Sequence, residues 1–247
     1  MDILPLQAGD WAFVGANWWI LMQGLYVTVL LTVGSLLLGF LAGFPGGAIE
    51  VYGRGPLRSV VRGVGVLLRG TPIVVLIVLF FFGIPWPDVG VVPLGGLLPL
   101  PAFEINGQAL LASTAALGLR SAAYQSQVFR GAIRSIDEGQ LEAARSVGLS
   151  KLEAVRHVVF PQALRRSIPG FQNEFTIVLK DTSIAFAVGL AELLTRGFDL
   201  FTQPAGQTAV VEIILTVSAI YFVLTFLTNR TLDRVENRFA IPTGESS

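Results

Sequence analysis

The chain has no cysteine and a single histidine, His157, among its 247 residues. Without thiols it can form no disulfide, no thiolate zinc site and no cysteine nucleophile. One imidazole argues against His-based catalysis and against most transition-metal sites. The phosphate-loop pattern GxxxxGK followed by Ser or Thr occurs nowhere, so the chain is not itself an ATPase of that class. No Ser/His/Asp set and no paired-carboxylate constellation is recognisable, which ranks a membrane enzyme last among the readings. Charge is also scarce. Charged residues make up 14%, with 17 basic and 17 acidic side chains and a net charge of zero. No nucleic-acid partner is expected, and what matters is where the charges lie. The first 19 residues carry no Lys or Arg, so this stretch does not read as a cleaved secretory signal.

What the chain has in abundance is apolar sequence. It is 53% hydrophobic with a mean hydropathy of +0.67, the profile of an all-α, multi-pass integral membrane protein. Residues 1–16 form a mildly acidic lead-in expected outside the membrane. Trp18 and Trp19 suit the membrane–water interface. An uncharged run from Ile20 to Gly43 is long enough to cross ~30 Å of hydrocarbon. Gly39 and Gly43 form a GxxxG that permits close helix approach, or are simply two of the glycines common in membrane helices. Pro45-Gly46-Gly47 is expected to break this helix. Arg54, Arg58, Arg62 and Arg69 follow, three of them near one helical face, as in a cytoplasmic segment against lipid headgroups or a partner. Arg69-Gly70-Thr71-Pro72 then enters the apolar run from Ile73 to Ile84. Pro72 frees a carbonyl there and Gly70 allows backbones to approach, or the proline is a simple kink.

Residues 85–106, with five prolines and no basic residue, read as a stiff loop on the non-cytoplasmic side. Residues 107–132 read as the third span and residues 209–227 as the fifth. Residues 168–195 are the weakest span, carrying Asn173, Glu174, Lys180, Asp181 and Glu192. Charge placement decides for them. With five crossings and the N-terminus outside, Arg196 falls in an external loop and Arg120 at mid-membrane, and every other Lys and Arg lies in or near the cytoplasm, the positive-inside pattern. Omitting the fourth crossing would put a large block of arginines outside. Its charges must therefore point into the helix bundle.

Asp137 to Pro161, DEGQLEAARSVGLSKLEAVRHVVFP, is the longest stretch that is neither membrane-like nor disordered. Ser135 with Glu138, and Ser150 with Glu153, are spaced as capping boxes. Gly148 falls where a glycine closes a helix in a left-handed conformation. Pro161 is expected to stop the second helix. Leu141, Ala144 and Val147 make one apolar stripe, and Leu152, Val155 and Val159 another. The stretch reads as an amphipathic helix–glycine–helix plug, or as an ordinary amphipathic hairpin on the membrane surface.

The plug resembles the EAA loop of ABC-transporter permease subunits. Glu142-Ala143-Ala144, three residues, Gly148, nine residues, Val158, one residue, then Phe160-Pro161 follows that pattern, with Val158 and Phe160 where the family prefers other apolar residues. Three further segments resemble the polar-amino-acid uptake branch, which is binding-protein-dependent and of importer type I. They are Arg69-Gly70-Thr71-Pro72, the run Ala123 to Gly131 (usually AYxAExxRG), and Lys180-Asp181-Thr182-Ser183. The resemblance implies a type I importer permease fold with five transmembrane helices and a cytoplasmic C-terminus. It implies a single permease domain over residues 17–232, a cytoplasmic coupling loop at 135–161 and a cytoplasmic tail at 233–247. It implies docking of the plug, through Glu142, Ala143, Ala144, Gly148 and Pro161, on a separate ATPase that holds ATP and magnesium. It also implies a second permease chain, identical or not, and a solute-binding protein outside the cell membrane. Arg69 to Pro72 and Lys180 to Ser183 would gate or brace the path.

Two departures from that branch bear on cargo. Gln127 stands where Glu is usual, and Arg120 where a neutral polar residue is frequent. Two turns apart, they share a helical face with Tyr124. An arginine at mid-membrane costs roughly 2.5–3.5 kcal/mol on insertion scales, so something must offset it. Arg120 either grips a substrate carboxylate, with Tyr124, Gln127 and Glu174 along the path, or pairs structurally with Glu174 or Asp181. The first favours acidic or neutral amino acids over cationic ones. Rival readings are an ion-coupled secondary transporter using Glu174 and Asp181, and a non-transporting scaffold that recruits an ATPase.

Overall fold

The computed structural model describes residues 8–94 and 101–239. The first seven residues of the lead-in, residues 95–100 of the proline-rich loop and the end of the tail from 240 onward lie outside the described residues. Helices dominate: α1 (Ala8–Ala16), α2 (Trp18–Tyr52), α3 (Pro56–Gly70), α4 (Ile73–Gly83), α5 (Gly107–Arg134), α6 (Glu138–Ser146), α7 (Lys151–Ala154), α8 (Phe160–Asp181), α9 (Leu193–Thr202) and α10 (Val210–Phe239). A two-stranded antiparallel hairpin, β1 (Val91–Leu94) with β2 (Phe103–Asn106), lies in the expected loop and pairs Val91 with Asn106 and Leu94 with Phe103. Among the described residues, α2 and α10 alone are long and apolar enough to cross a membrane unaided. α3 and α4 together would form one further, broken span.

Two compact units emerge. The first holds residues up to 35, 72–117 and 178–226. Its core gathers Val14, Leu21, Leu193, Leu200, Ala209, Ile213 and Val217. Glu192 caps α9 by accepting the N–H groups of Leu194 at 2.8 Å and Thr195 at 2.7 Å, and the Tyr221 hydroxyl donates to it at 2.9 Å. A carboxylate at a helix N-terminus satisfies orphan donors and meets the positive end of the dipole. The buried Glu192 is thereby matched on all sides.

The second unit holds residues 36–71, 118–177 and 227 onward. Here α2 runs unbroken through Pro45, contrary to the break expected at Pro45-Gly46-Gly47. The glycines serve contact instead. A Cβ at Gly39 would fall 2.5 Å from Gln125 Nε2, one at Gly43 2.6 Å from the Ala122 carbonyl, and one at Gly47 2.8 Å from Phe129 Cβ. These three positions, four residues apart, let the α2 backbone lie directly on α5, the small-residue packing of membrane helices. Gly70 does not play such a part, since nothing lies within 4 Å of a Cβ built there. Thr71 closes α3 by donating its N–H and its hydroxyl to the Leu67 carbonyl, at 3.1 and 2.8 Å.

Candidate coupling plug and buried polar cluster

The plug is built on a small apolar base. Ala132 and Ile133 at the end of α5 and Ile136 just beyond it pack with Val159 and Ala163, and Val51, Tyr52 and Leu141 close around them. Arg166 reaches back to donate to the Ser135 carbonyl and, at 3.0 Å, to its hydroxyl oxygen. Ser135 therefore does not cap α6. Its hydroxyl donates to the Ala132 carbonyl, and Asp137 takes the cap, accepting from the Gly139 N–H at 2.6 Å. Asp137 sits immediately before the helix and its short carboxylate reaches the first turn, so it outcompetes a serine two residues farther away.

The second cap forms as spaced. Glu153 N–H donates to Ser150 Oγ at 3.3 Å and Ser150 N–H donates to Glu153 Oε2 at 2.9 Å. These Ser150 contacts, side chain first and N–H second, hold the Glu153 carboxyl below its ordinary range, with His157 adding a smaller pull. Between the two helices Gly148 adopts φ +94°, and nothing lies within 4 Å of a Cβ built there. The bend thus needs glycine for its backbone and not for space. Glu142 and Ala143 are exposed and Ala144 is buried. Val147 and Leu152 flank the bend at 80% and 78% exposure, although both are apolar.

Pro161 does not end the second helix. A π turn over Val155–Val159, with the Phe160 N–H donating to the Val155 carbonyl, precedes it, and α8 continues to Asp181. A proline inside an α-helix clashes with the carbonyl four residues back. The wider π turn supplies the room, so the chain passes from plug to α8 without a stop.

Inward of the plug, Glu50 on α2 is the centre of a polar cluster. It is 3% exposed. It accepts from Gln127 Nε2 at 2.9 Å and Ser126 Oγ at 3.2 Å, and pairs with Arg130 at 3.4 Å. Sequence reasoning did not single out Glu50. The signal available was a lone carboxylate closing an apolar helix on its arginine-rich side, which needs a partner when buried. On α5 the Arg120 guanidinium lies over the Tyr124 ring, 5.2 Å from its centroid. Arg69 donates to the Ala123 carbonyl at 2.7 Å. Glu174 is buried on α8, where Thr176 and Gln172 donate to Asn229 at 2.7 Å or Asp233 at 2.6 Å, in that order.

In the first unit, Lys180 and Asp181 end α8, and Thr182 and Ser183 open a 3₁₀ turn. Their hydroxyls donate to the Leu179 and Lys180 carbonyls at 2.6 and 2.8 Å. Those bonds finish the α-helix by satisfying its last carbonyls locally. Among the described residues, no three His, Asp or Glu side chains are grouped to hold a metal ion.

Comparison with known proteins agrees with this architecture. The model of the family described as binding-protein-dependent transport system inner membrane component matches residues 35–239. The glutamine transport system permease protein GlnP of Escherichia coli strain K12 is 31% identical over 236 residues, covering 94% of this chain and 98% of GlnP. YxeN of Bacillus subtilis strain 168, named a probable amino-acid permease protein, is 30% identical over 235 residues, covering 94% and 97%. The crystal structure of an amino acid ABC transporter with histidines superimposes with a TM-score of 0.76 at 27% identity, covering 94% of this chain and all of the matched one.

Proposed function

Because the chain belongs to the family of binding-protein-dependent transport system inner membrane components, we propose that it is the membrane-spanning permease subunit of an ATP-driven importer for polar amino acids. It forms the translocation path and is moved by a separate ATPase. Five crossings with the N-terminus outside put the plug in the cytoplasm of a cell-membrane protein. A second permease chain completes the path and an external solute-binding protein delivers cargo.

The observation that carries this reading is the plug itself. Two exposed apolar side chains, Val147 and Leu152, flank a glycine bend held at φ +94°. Apolar groups exposed together on a polar knob mark a protein contact. The cap at Ser150, the base under Leu141 and the continuous helix beyond Pro161 make the knob stiff enough to pass motion inward. ATP binding would close the ATPase pair, carry the plugs together and open the path outward. The name of GlnP supports glutamine or a similar solute as cargo. Arg120 is the proposed carboxylate grip, with Tyr124 setting its direction from 5.2 Å. Acidic or neutral amino acids are favoured over cationic ones.

Proteoliposomes holding the permease, an ATPase and a solute-binding protein test this, with ATP on the plug side. Uptake of glutamine or glutamate that needs all three partners is the expected result. Uptake without the ATPase would favour ion-coupled transport, and no uptake of any amino acid with every partner present would favour a scaffold.

A further inference from the structure

A cavity of about 400 Å³ opens beside the plug, lined by Phe44, Ala48 and Tyr52 of α2, Ile133 of α5, and Leu152, Val155, Arg156, Val159, Phe160 and Ala163 of the second plug helix and its continuation. We infer that this cavity is a site for one anionic membrane phospholipid, with an acyl chain in the cavity and the phosphate on Arg156 and Lys151.

The volume lies within the range of ligand pockets, ~300–1,000 Å³, and its walls are almost wholly hydrocarbon and aromatic ring, Arg156 and Tyr52 included. An apolar cavity gives water too few partners to hold it, so the occupant must be apolar where it touches these walls. Phe44, Ala48 and Tyr52 recur at four-residue intervals on one face of α2. The cavity therefore begins at the depth of the apolar helix and ends at the polar plug, the span of a lipid from chain to headgroup. Tyr52 marks the boundary, an amphipathic ring of the kind that settles at the interface.

Two basic residues adjoin the cavity: Arg156, whose aliphatic stem is part of the wall, and Lys151, whose Nζ stands 5.9 Å from the ring centroid of the lining Tyr52. The nearby Glu153 carboxylate is engaged by the Ser150 N–H at 2.9 Å, so it is turned to its own helix end. Basic pockets at the cytoplasmic side of membrane helices take anionic headgroups. The inference rests on the cytoplasmic placement of the plug in the proposed function, and its test leaves out the ATPase, so a failure of lipid retention is distinct from a failure of docking.

Native mass spectrometry of the full chain, without any ATPase and exchanged against phosphatidylglycerol or phosphatidylcholine, tests it. One retained phosphatidylglycerol in preference to phosphatidylcholine is expected. Lys151→Gln and Arg156→Gln should each lower phosphatidylglycerol retention roughly fivefold while phosphatidylcholine retention holds, which also controls for folding. Ala48→Leu, which fills the cavity, should lower both. Equal retention of the two lipids by the unaltered chain, or undiminished phosphatidylglycerol on Ala48→Leu, would overturn the site. So would Leu152→Cys disulfide dimers forming equally with and without phosphatidylglycerol, because a second copy would then be the occupant.

Discussion

Gln127 donates its amide N–H to Glu50 at 2.9 Å, tying α5 to the C-terminal end of α2 one helical turn before Arg130 joins the same carboxylate at 3.4 Å. Glu50 also accepts from Ser126, so one buried carboxylate satisfies three α5 side chains. Removing one partner of a buried charged set costs more than the set contributes, because the rest is stranded.

Glu50→Gln should therefore destabilise the chain by about 2–4 kcal/mol. Thermal unfolding in detergent would show a fall of several degrees. Gln127→Glu, which sets a second carboxylate against Glu50, should also destabilise. The double exchange restores one carboxylate and one amide and should recover much of the loss. Single changes that leave the midpoint unmoved would mean that Glu50 does not bind the helices together.

The glycine ladder makes a sharper comparison. Gly47→Ala brings a methyl within 2.8 Å of both Phe129 Cβ and the Ser126 carbonyl, whereas Gly46→Ala meets Ser126 Cβ at an ordinary 3.4 Å. The first should cost about 1–3 kcal/mol by overpacking and the second little. Comparable melting of the two variants would refute direct backbone contact at Gly47.

Gly148→Val forces a β-branched residue into φ +94°, a strain of about 1–3 kcal/mol. Transport-linked ATP hydrolysis should fall severalfold while membrane insertion is unchanged. Gly148→Asn, whose side chain tolerates the left-handed region, should retain more coupling than Val. Since a Cβ meets nothing there, equal losses from Asn and Val would locate the defect in bulk at a partner surface instead.

The Ser150 cap should loosen in acid. Its Glu153 carboxyl is held below the ordinary value by Ser150, so the folded state favours the charged form. The stabilisation is complete above the ordinary carboxylate range and is lost as pH falls through the depressed value. Amide protection at Glu153 and Ala154, taken relative to the intrinsic exchange rate at each pH, should fall in that acid window, and Glu153→Gln should remove the pH dependence of that protection.

Much of the plug was legible from sequence because its signals are local. Ser150 and Glu153 lie three residues apart, and Gly148 closes a helix that starts ten residues earlier, so propensity and capping decide them. The misreadings share a cause. Pro45 and Pro161 both carry the ring that ends helices in water, yet both sit inside helices here. At Pro45 the glycine ladder holds α2 against α5. At Pro161 a π turn opens the clash. Glu50 was invisible because its three partners lie 76 to 80 residues away, a pairing that no local pattern encodes. Arg120 could be flagged by depth alone, but the Tyr124 ring beneath it follows from four-residue spacing on one helix.

The widened turn at Val155–Val159 gives the segment between plug and α8 one residue more than an ordinary helix would use. Each residue of an α-helix advances the phase by about 100°. Losing a single residue there, for instance His157, would let the turn relax to α form and leave Leu152 near its present angle, because the wide turn absorbs the extra residue. Losing one residue from an ordinary turn of α8 would instead swing Leu152 through roughly that angle, so the widened turn is the point where a shortening of one residue leaves the rotational setting of the knob in place.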